Sequence, residues 1–355
     1  MRRILVTGAG GSPAANFVHS LRLAPEPFFV VGTDASKFHL ELAPVDARYL
    51  LPRADDPRYL DELNAIVAAE EAEIVHPQPE QEVLALARNR ERVSAATFLP
   101  AADTVALCQD KAAFAQRIAE AGLPAPRFAR ADSENALREA TASILEERHQ
   151  AWVRAVRGAG ARASLPVTSP EQAVGWVRYW VELRGLAVTD FMVSEFLPGR
   201  EFAFQSLWRD GELVTSAARE RLEYVFGHLM PSGQSSSPSV ARTVHREDVN
   251  ELATEAVRAV DSNATGVFCV DLKEDESGKP LVTEINAGRF FTTSNFFAAA
   301  GANMPYEYVR LACGEHVDGL ARYDSVEEGL YWVRMIDMGY KLVREGEWRS
   351  QKLAS

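Results

Sequence analysis

Apolar runs and polar turns alternate along residues 1–105 as strands and helices do in parallel α/β domains. Arg3–Thr7 has the composition of a buried strand, and a glycine-rich turn leads from it into an amphipathic helix. Further apolar strands are expected at Phe28–Asp34 and Ile74–Pro77, and the next helix is expected to begin near Gln81. The pattern predicts an open parallel α/β domain.

Residues 106–190 show a different pattern, with longer helices and short strands. An amphipathic helix is expected to begin near Lys111, and two more helices are expected at residues 134–149 and 170–183. A strand at Trp152–Val156 lies between these two helices. The segment predicts a small lobe with linker helices.

Strands dominate residues 191–320. A strand that starts at Phe191 is followed by the turn Pro198–Gly199 and by a second long strand, which is typical of antiparallel pairing. Gly266–Arg289 predicts two further strands joined by a tight polar turn, and residues 321–355 are interpreted as a C-terminal extension. The fold class expected for the chain is therefore an N-terminal open parallel α/β domain followed by two lobes with mixed or antiparallel sheets.

The hairpin Gly266–Arg289 carries the clearest chemical signal. Residues two apart in a strand share a face, so Glu284 and Asn286 point the same way, and a symmetric hairpin places Asp271 opposite Glu284. Facing carboxylates repel each other in a sheet, which calls for a cation between them. Three oxygen-bearing side chains suit Mg²⁺, although a hairpin whose polar face meets water is the alternative.

A second candidate is the segment Arg157–Ser164, which follows a predicted strand. Gly158 and Gly160 would let backbone N–H groups approach phosphate oxygens, and the arginine side chains would supply charge-assisted hydrogen bonds. A flexible surface loop is the alternative.

The turn Gly8–Ser12 invites a nucleotide interpretation, because glycine-rich turns at helix N-termini bind anions and Asp34 ends the second strand. Pro13 stands where a dinucleotide fingerprint has its third glycine, so the motif is incomplete. Such turns also begin parallel domains for steric reasons alone.

Three later segments leave their roles open. Arg219–Arg221 is either a solvated charge run or a substrate-carboxylate contact, and the former is the more common situation. Met230–Pro238 is a mobile connector or a substrate-side loop, with the connector favoured. The hydroxyl groups of Phe290–Asn295 are candidates for the lining of an acceptor site.

Composition narrows the function. A net charge of −12 argues against coating nucleic acid, and no apolar run has the length of a membrane span. Cys108, Cys269 and Cys313 are far apart, as in a reduced cytoplasmic protein, and the basic start gives way to glycine too soon for a signal peptide.

Three blocks in this order resemble the ATP-grasp superfamily, and most of all a single synthetase unit of the carbamoyl-phosphate synthetase large subunit. They are residues 110–126, residues 194–201 (SEFLPGRE) and residues 266–289, and residues 298–314 resemble the segment that follows the metal site in that subunit. The resemblance extends over about residues 1–315, because the first domain is similar to the domain that precedes the grasp fold.

This resemblance implies that ATP lies between the two lobes and that Mg²⁺ is the metal. It implies adenine contacts from the backbone around Glu195, Phe196 and Leu197, and ribose contacts from Glu201. It also implies phosphate contacts from the small lobe and a metal site on the hairpin. The residues concerned are Lys111, Arg154, Arg157, Gly158 and Gly160 for the phosphates, Asp271, Glu284 and Asn286 for the metal, and Arg289, Arg154 and Glu284 for catalysis.

Some positions depart from the family. Many family members have lysine at the position of Arg154, whereas the carbamoyl-phosphate synthetase branch has arginine, and Arg289 is displaced by one position from the family's arginine. The segment 157–164 is poorer in glycine than in the closest relatives. A single unit with no glutaminase domain argues against carbamoyl phosphate synthesis itself.

The expected function is an ADP-forming carboxylate–amine ligase, which activates a small carboxylate as an acyl phosphate for attack by an amine or ammonia. Alternatives on the same site are a small-molecule kinase and a carboxyphosphate-forming carboxylase. An NAD-binding protein or a non-catalytic nucleotide sensor would represent other classes. We expect no nucleic acid or membrane partner, and a homodimer is possible.

Overall fold

The computed structural model describes residues 1–158, 163–235, 237–336 and 339–347. The strands are β1 Arg2–Thr7, β2 Phe28–Asp34, β3 Ala47–Leu50, β4 Ile74–His76, β5 Phe128–Arg130, β6 Ala151–Ala155, β7 Leu165–Val167, β8 Phe191–Glu195, β9 Glu201–Arg209, β10 Glu212–Tyr224, β11 Pro238–Val244, β12 Gly266–Glu274, β13 Pro280–Ala287, β14 Leu330–Met335 and β15 Gly339–Arg344. The α-helices are α1 Ser12–Arg22, α2 Lys37–Leu40, α3 Tyr59–Ala69, α4 Glu80–Arg88, α5 Ala102–Gln109, α6 Lys111–Glu120, α7 Glu134–Leu145, α8 Pro170–Arg184, α9 Glu247–Val260, α10 Ser294–Ala299 and α11 Met304–Ala312.

Three sheets organise these elements. The N-terminal sheet has the order β3-β2-β1-β4 and is parallel, as the alternating pattern predicts. A small antiparallel sheet has the order β5-β8-β6-β7, and a seven-stranded antiparallel sheet has the order β13-β12-β9-β10-β11-β14-β15. The predicted fold class is therefore confirmed.

Two segments sit differently from the sequence interpretation. Strand Phe191–Glu195 was assigned to the large lobe, but it pairs with β5 and β6 in the small sheet, so the large lobe begins only after Glu195. Residues 330–335 and 339–344 lie in the predicted C-terminal extension, but they continue the large sheet through β11. In both cases the pairing partner is far away in sequence, and local pattern does not reveal it.

Helices pack against both faces of the large sheet, although they cover the second face only in part. One face packs against α6 and α9, with Phe204, Phe268 and Val257 in that cluster. The other face packs in part against α1, α10 and α11, which joins the large sheet to the N-terminal domain. The small sheet is covered by α7 and α8. The remaining, uncovered part of the second face of the large sheet turns towards the small sheet and forms one wall of a cleft.

None of the helices in the described part of the chain is both long enough and apolar enough to cross a bilayer.

Candidate active site

A cleft between the small and large sheets collects most of the residues that the sequence singled out. It is lined from the small lobe, from the linker after β8 and from the large sheet. The predicted residues that line it are Lys111, Arg154, Gly158, Glu195, Phe196, Leu197, Glu201, Asp271, Glu284, Asn286 and Arg289. The geometry brings these side chains together, whereas their individual roles stay predictions.

The hairpin β12–β13 forms the acidic centre of the cleft. Asp271 pairs directly with Glu284, the register that a symmetric turn predicts. Asn286 lies on the same face, with its amide nitrogen 3.4 Å from an Asp271 oxygen and 3.5 Å from a Glu284 oxygen. A bulge follows this pair, and there the Thr283 carbonyl accepts a hydrogen bond of 3.1 Å from Arg154. The bulge thus connects the β12–β13 hairpin to the small lobe through Arg154.

Four cations surround the two carboxylates. Lys111 and Arg154 reach Glu284 from the small lobe, at 3.4 Å and 3.8 Å between nitrogen and oxygen. Arg221 forms an ion pair with Asp271, and Arg289 donates to the side-chain Oδ1 atom of Asn286. Each acid therefore has counter-charges of its own.

The two facing acids titrate in opposite directions. Burial and the neighbouring Glu284 raise the pKa of Asp271, although Arg221 opposes this shift. Burial would also raise the pKa of Glu284, but Lys111, Arg154 and Arg289 outweigh it and lower that pKa. A carboxylate pair of this kind holds a proton readily on one side, and a divalent cation can take the place of that proton.

The donor set fits a hard cation. Within the described ranges, no three His, Cys, Asp or Glu side chains form a group that would hold a metal by themselves. Two carboxylates and one amide are nevertheless sufficient for Mg²⁺, which usually keeps oxygen ligands from water and substrate phosphates. The residues present therefore fit a magnesium ion that is shared with a phosphorylated substrate.

Lys111 is positioned by the start of α6. Asp110 caps this helix by accepting a hydrogen bond of 2.9 Å from the Ala113 N–H group. The Lys111 ammonium donates to the Gly158 carbonyl at 2.7 Å, which holds the start of the glycine-rich segment against the cleft. Arg157 forms an exposed ion pair with Asp110 at 3.2 Å and does not line the cleft, and Gly160 lies outside the described residues.

The linker after β8 forms an apolar end of the cleft. The Glu195 side chain is turned away, towards Arg148 at 3.4 Å and the Arg127 N–H group at 3.1 Å, which leaves its backbone on the cleft side. Phe196 packs against Trp152 with ring centroids 6.0 Å apart, and Leu197 is buried beside them. Flat apolar surfaces next to a backbone edge suit a purine base.

Glu201 lies next to this apolar end, at the start of β9. Its carboxylate accepts a hydrogen bond of 2.6 Å from Lys273 and further bonds from Tyr224 and Gln234. Burial opposes ionisation, but Lys273 lowers the pKa of Glu201, so the group is charged. Gln234 belongs to the Met230–Pro238 segment, for which a mobile connector was favoured, and the structure instead brings it to the cleft.

The interpretation of Arg219–Arg221 as a solvated charge run is wrong. Arg219 is buried, and Arg221 is partly buried, lines the cleft and pairs with Asp271. Strand alternation sends both to the face of the sheet that carries Asp271, while Glu220 points the other way and pairs with Arg242 at 2.6 Å. The alternation of charge signs was visible in the sequence, but the acid that Arg221 meets lies fifty positions further along.

The glycine-rich turn at the start of α1 has a packing reason for its composition. A side chain at Gly10 would lie within 2.5 Å of the His39 backbone, and Gly8 has a positive φ of 61°. Asp34 is occupied within the same domain, because it accepts hydrogen bonds from Gly10 and Ser36 at 3.1 Å and 2.8 Å. The turn is therefore explained without a dinucleotide.

Comparisons with known proteins agree with this architecture. The family model described as ATP-grasp in the biosynthetic pathway with Ter operon matches residues 187–330, and the model of the PylC-like N-terminal domain matches residues 4–99. Together these two segments contain the N-terminal sheet and most of the large sheet.

Solved structures share the fold over most of the chain. The biotin carboxylase domain of 2-oxoglutarate carboxylase from Hydrogenobacter thermophilus, in complex with MgADP, ADP and bicarbonate, has a TM-score of 0.70 at 15% identity, covering 93% of this chain and 73% of that chain. An L-amino acid ligase from Bacillus licheniformis has a TM-score of 0.66 at 16% identity, covering 94% and 79%. A carboxyaminoimidazole ribonucleotide synthase from Aspergillus clavatus, complexed with ATP, has a TM-score of 0.67 at 15% identity, covering 94% and 81%.

The order of the matched segments and the two-lobed cleft lead to one assignment: the chain carries an ATP-grasp domain over residues 187–330, preceded by a PylC-like N-terminal domain over residues 4–99.

Proposed function

We propose that the protein is an ATP-dependent ligase that activates a small-molecule carboxylate as an acyl phosphate, for attack by an amine or ammonia, and releases ADP and phosphate. The observation that carries the proposal is the pair Asp271 and Glu284, held face to face at the meeting point of the two lobes. Cations from both lobes converge on this pair, which is the electrostatic arrangement that phosphoryl transfer needs.

The nucleoside would bind at the apolar end of the cleft. The backbone at Glu195 and Leu197 would meet the adenine edge, with Phe196 in the wall beside it. Glu201 would accept hydrogen bonds from ribose hydroxyl groups, since Lys273 keeps it charged. For this, Gln234 must give up its own bond to Glu201.

The phosphates would lie between the lobes. Lys111 and Arg154 would neutralise phosphate oxygens, and the N–H groups of Arg157 and Gly158 would cover them, whereas Gly160, predicted for the same role, lies outside the described residues. Asp271, Glu284 and Asn286 would hold magnesium, which when bound neutralises phosphate charge and orients the nucleotide. Arg289 would stabilise charge that develops on the transferred group. Catalysis then consists of positioning and preorganised charge, without a protein nucleophile.

Three further properties belong to the proposal. Reduced cysteines, two of them buried and none in a disulfide among the described residues, favour the cytoplasm. We also infer a division into a preATP-grasp-like domain over residues 1–105, a small lobe over residues 106–195 and a large lobe that includes residues 330–344. A homodimer is the remaining partner expectation, beside the carboxylate and amine substrates.

The test is ADP release by the purified protein with Mg-ATP across a panel of amino acids, other small carboxylates and bicarbonate, each with and without ammonia. ADP formation that requires one acid supports the ligase and identifies the first substrate, and dependence on a second compound identifies the nucleophile. Bicarbonate-dependent ADP formation would favour a carboxylase, such as the biotin carboxylase domain to which the fold is similar. ATP binding without turnover for any acid would contradict the proposal.

A further inference from the structure

Arg219 is a buried cation that has no role in the proposed binding of ATP, magnesium or the transferred phosphate. It lies two residues before Arg221 on β10, opposite Ala203 of β9 and Thr243 of β11. Its side chain is fully buried, and its Nε and Nη1 atoms have no hydrogen-bond partner among the described residues. An arginine in this state has N–H donors that only an acceptor from elsewhere can satisfy.

The surroundings of Arg219 destabilise its charged form. Its guanidinium lies 4.8 Å from the ring centre of Phe291 and 5.3 Å from that of Phe297, so aromatic faces supply its described contacts. Aromatic faces stabilise a cation weakly and leave its N–H edges unsatisfied. Burial, with the nearby guanidinium of Arg221 adding to it, lowers the pKa of Arg219 to about 9.

Arg334 is a second, partly buried cation, and its charge also lowers the pKa of Arg219. It donates to the carbonyls of Pro238 and Thr292, at 3.0 Å and 3.3 Å, but its Nη2 atom is buried and has no partner within the described chain. Burial lowers the pKa of Arg334 to about 10. No carboxylate of the described residues forms an ion pair with either Arg219 or Arg334, in contrast to Arg221.

Hydroxyl groups that lack partners accompany the two arginines. Phe291 and Phe297, whose rings both contact the Arg219 guanidinium, bracket a short turn and the start of α10. In this segment the Thr293 and Ser294 hydroxyl oxygens are buried without a hydrogen-bond partner in the described part of the chain. Phe291 itself lines the cleft. Donors of both kinds therefore lie close to Phe291 and hence to the cleft.

We propose that Arg219 and Arg334 form a subsite for a second anionic group of the acid substrate, so that the substrate is a dianion, a dicarboxylate or a carboxylate that carries a phosphate. This inference rests on the proposed function, because the first carboxylate must lie near Arg289 and the metal-type hairpin to be phosphorylated. Side chains two apart on a strand are separated by about 7 Å. The second anion thus binds about 7 Å beyond Arg221 along β10, a distance that a small dianion spans. Its binding requires the Phe291 ring to turn aside.

The experiment measures binding by calorimetry and ADP formation with Mg-ATP, using acids of equal chain length: glutarate against valerate, glutamate against norvaline, and 3-phosphoglycerate against glycerate. We expect each dianion to bind at least tenfold more tightly than its partner, and the better dianion class shows whether the second group is carboxylate or phosphate. Arg219→Met should remove that preference. Arg242→Met, on the opposite face of the same sheet, is the matched control and should retain it.

Equal affinity for dianions and monoanions, or a preference that survives in Arg219→Met, overturns the inference, as does the absence of binding by any dianion to the wild-type protein. Arg219→Lys provides a second variant if the methionine variant fails to fold, because it keeps the charge and should retain part of the preference. Failure of the ligase proposal differs from all of these results, since dianions would still bind through Arg219 but no acid would produce ADP.

Discussion

Substitution of Glu284 by glutamine removes one charge from the centre of the cleft and leaves its shape nearly unchanged. The carboxylate lies 3.4 Å from Lys111 and 3.8 Å from Arg154, and each attraction is on the order of 4 kcal/mol at an effective dielectric constant of about 20, before desolvation. Neutralisation forfeits both attractions, but it also ends the repulsion from Asp271 and the cost of a buried charge. We therefore expect stability to change by only about 1–3 kcal/mol.

Activity should respond far more strongly. Loss of one preorganised group where charge develops typically costs about 100- to 1000-fold in kcat, or about 3–4 kcal/mol. The assay is ADP formation with Mg-ATP and the identified acid, together with thermal denaturation of each variant. Glu276→Gln, an exposed position in the turn of the same hairpin, is the matched control and should retain activity. A Glu284→Gln enzyme with the wild-type rate would remove the hairpin from the active site.

Three other predictions test separate parts of the structure. Glu201→Ala should raise the apparent KM for ATP by about tenfold, since a charged hydrogen-bond acceptor is lost, and an unchanged KM in steady-state kinetics would refute the ribose assignment. Magnesium affinity, measured by calorimetry, should increase as pH rises towards about 7 and then level off, because burial and Glu284 raise the pKa of Asp271 to about 7 and its proton competes with the metal; an affinity independent of pH would contradict this. Gly10→Ala should destabilise the fold by about 1–3 kcal/mol through contact with the His39 backbone, whereas Gly175→Ala, in an open helical position, should not; equal melting temperatures would disprove the packing role.

Local signals in the sequence predict the hairpin well. The alternation of β12 and β13 and a short polar turn fix the register of two strands that follow each other directly, so the pairing of Asp271 with Glu284 could be anticipated. The same holds for the N-terminal sheet, whose strands and helices alternate with regular spacing. In each case the interacting elements are neighbours in the chain.

Long-range pairing could not be predicted in this way. Strand Phe191–Glu195 resembles any apolar strand, and only its pairing with β6 and β5 assigns it to the small sheet. The strand Leu330–Met335 finds its partner β11 about ninety residues earlier. Arg221 leaves solvent only in part and is balanced by the distant Asp271, so the composition near residue 220 suggested a solvated surface. The sequence near residue 220 does not show which distant carboxylate balances the charge of Arg221.

The distribution of charge along the cleft gives the proposed reaction a direction. At the apolar end, Glu201 and Lys273 compensate each other, which suits an uncharged nucleoside. In the middle, Glu284 is shared by Lys111 and Arg154, so metal binding to the acids would release these cations for phosphate oxygens. Beyond Arg221, positive charge has no described acid to balance it. ATP bound with its base at the neutral end therefore points its terminal phosphate towards the cationic end, where an acid substrate is attracted and held for phosphorylation.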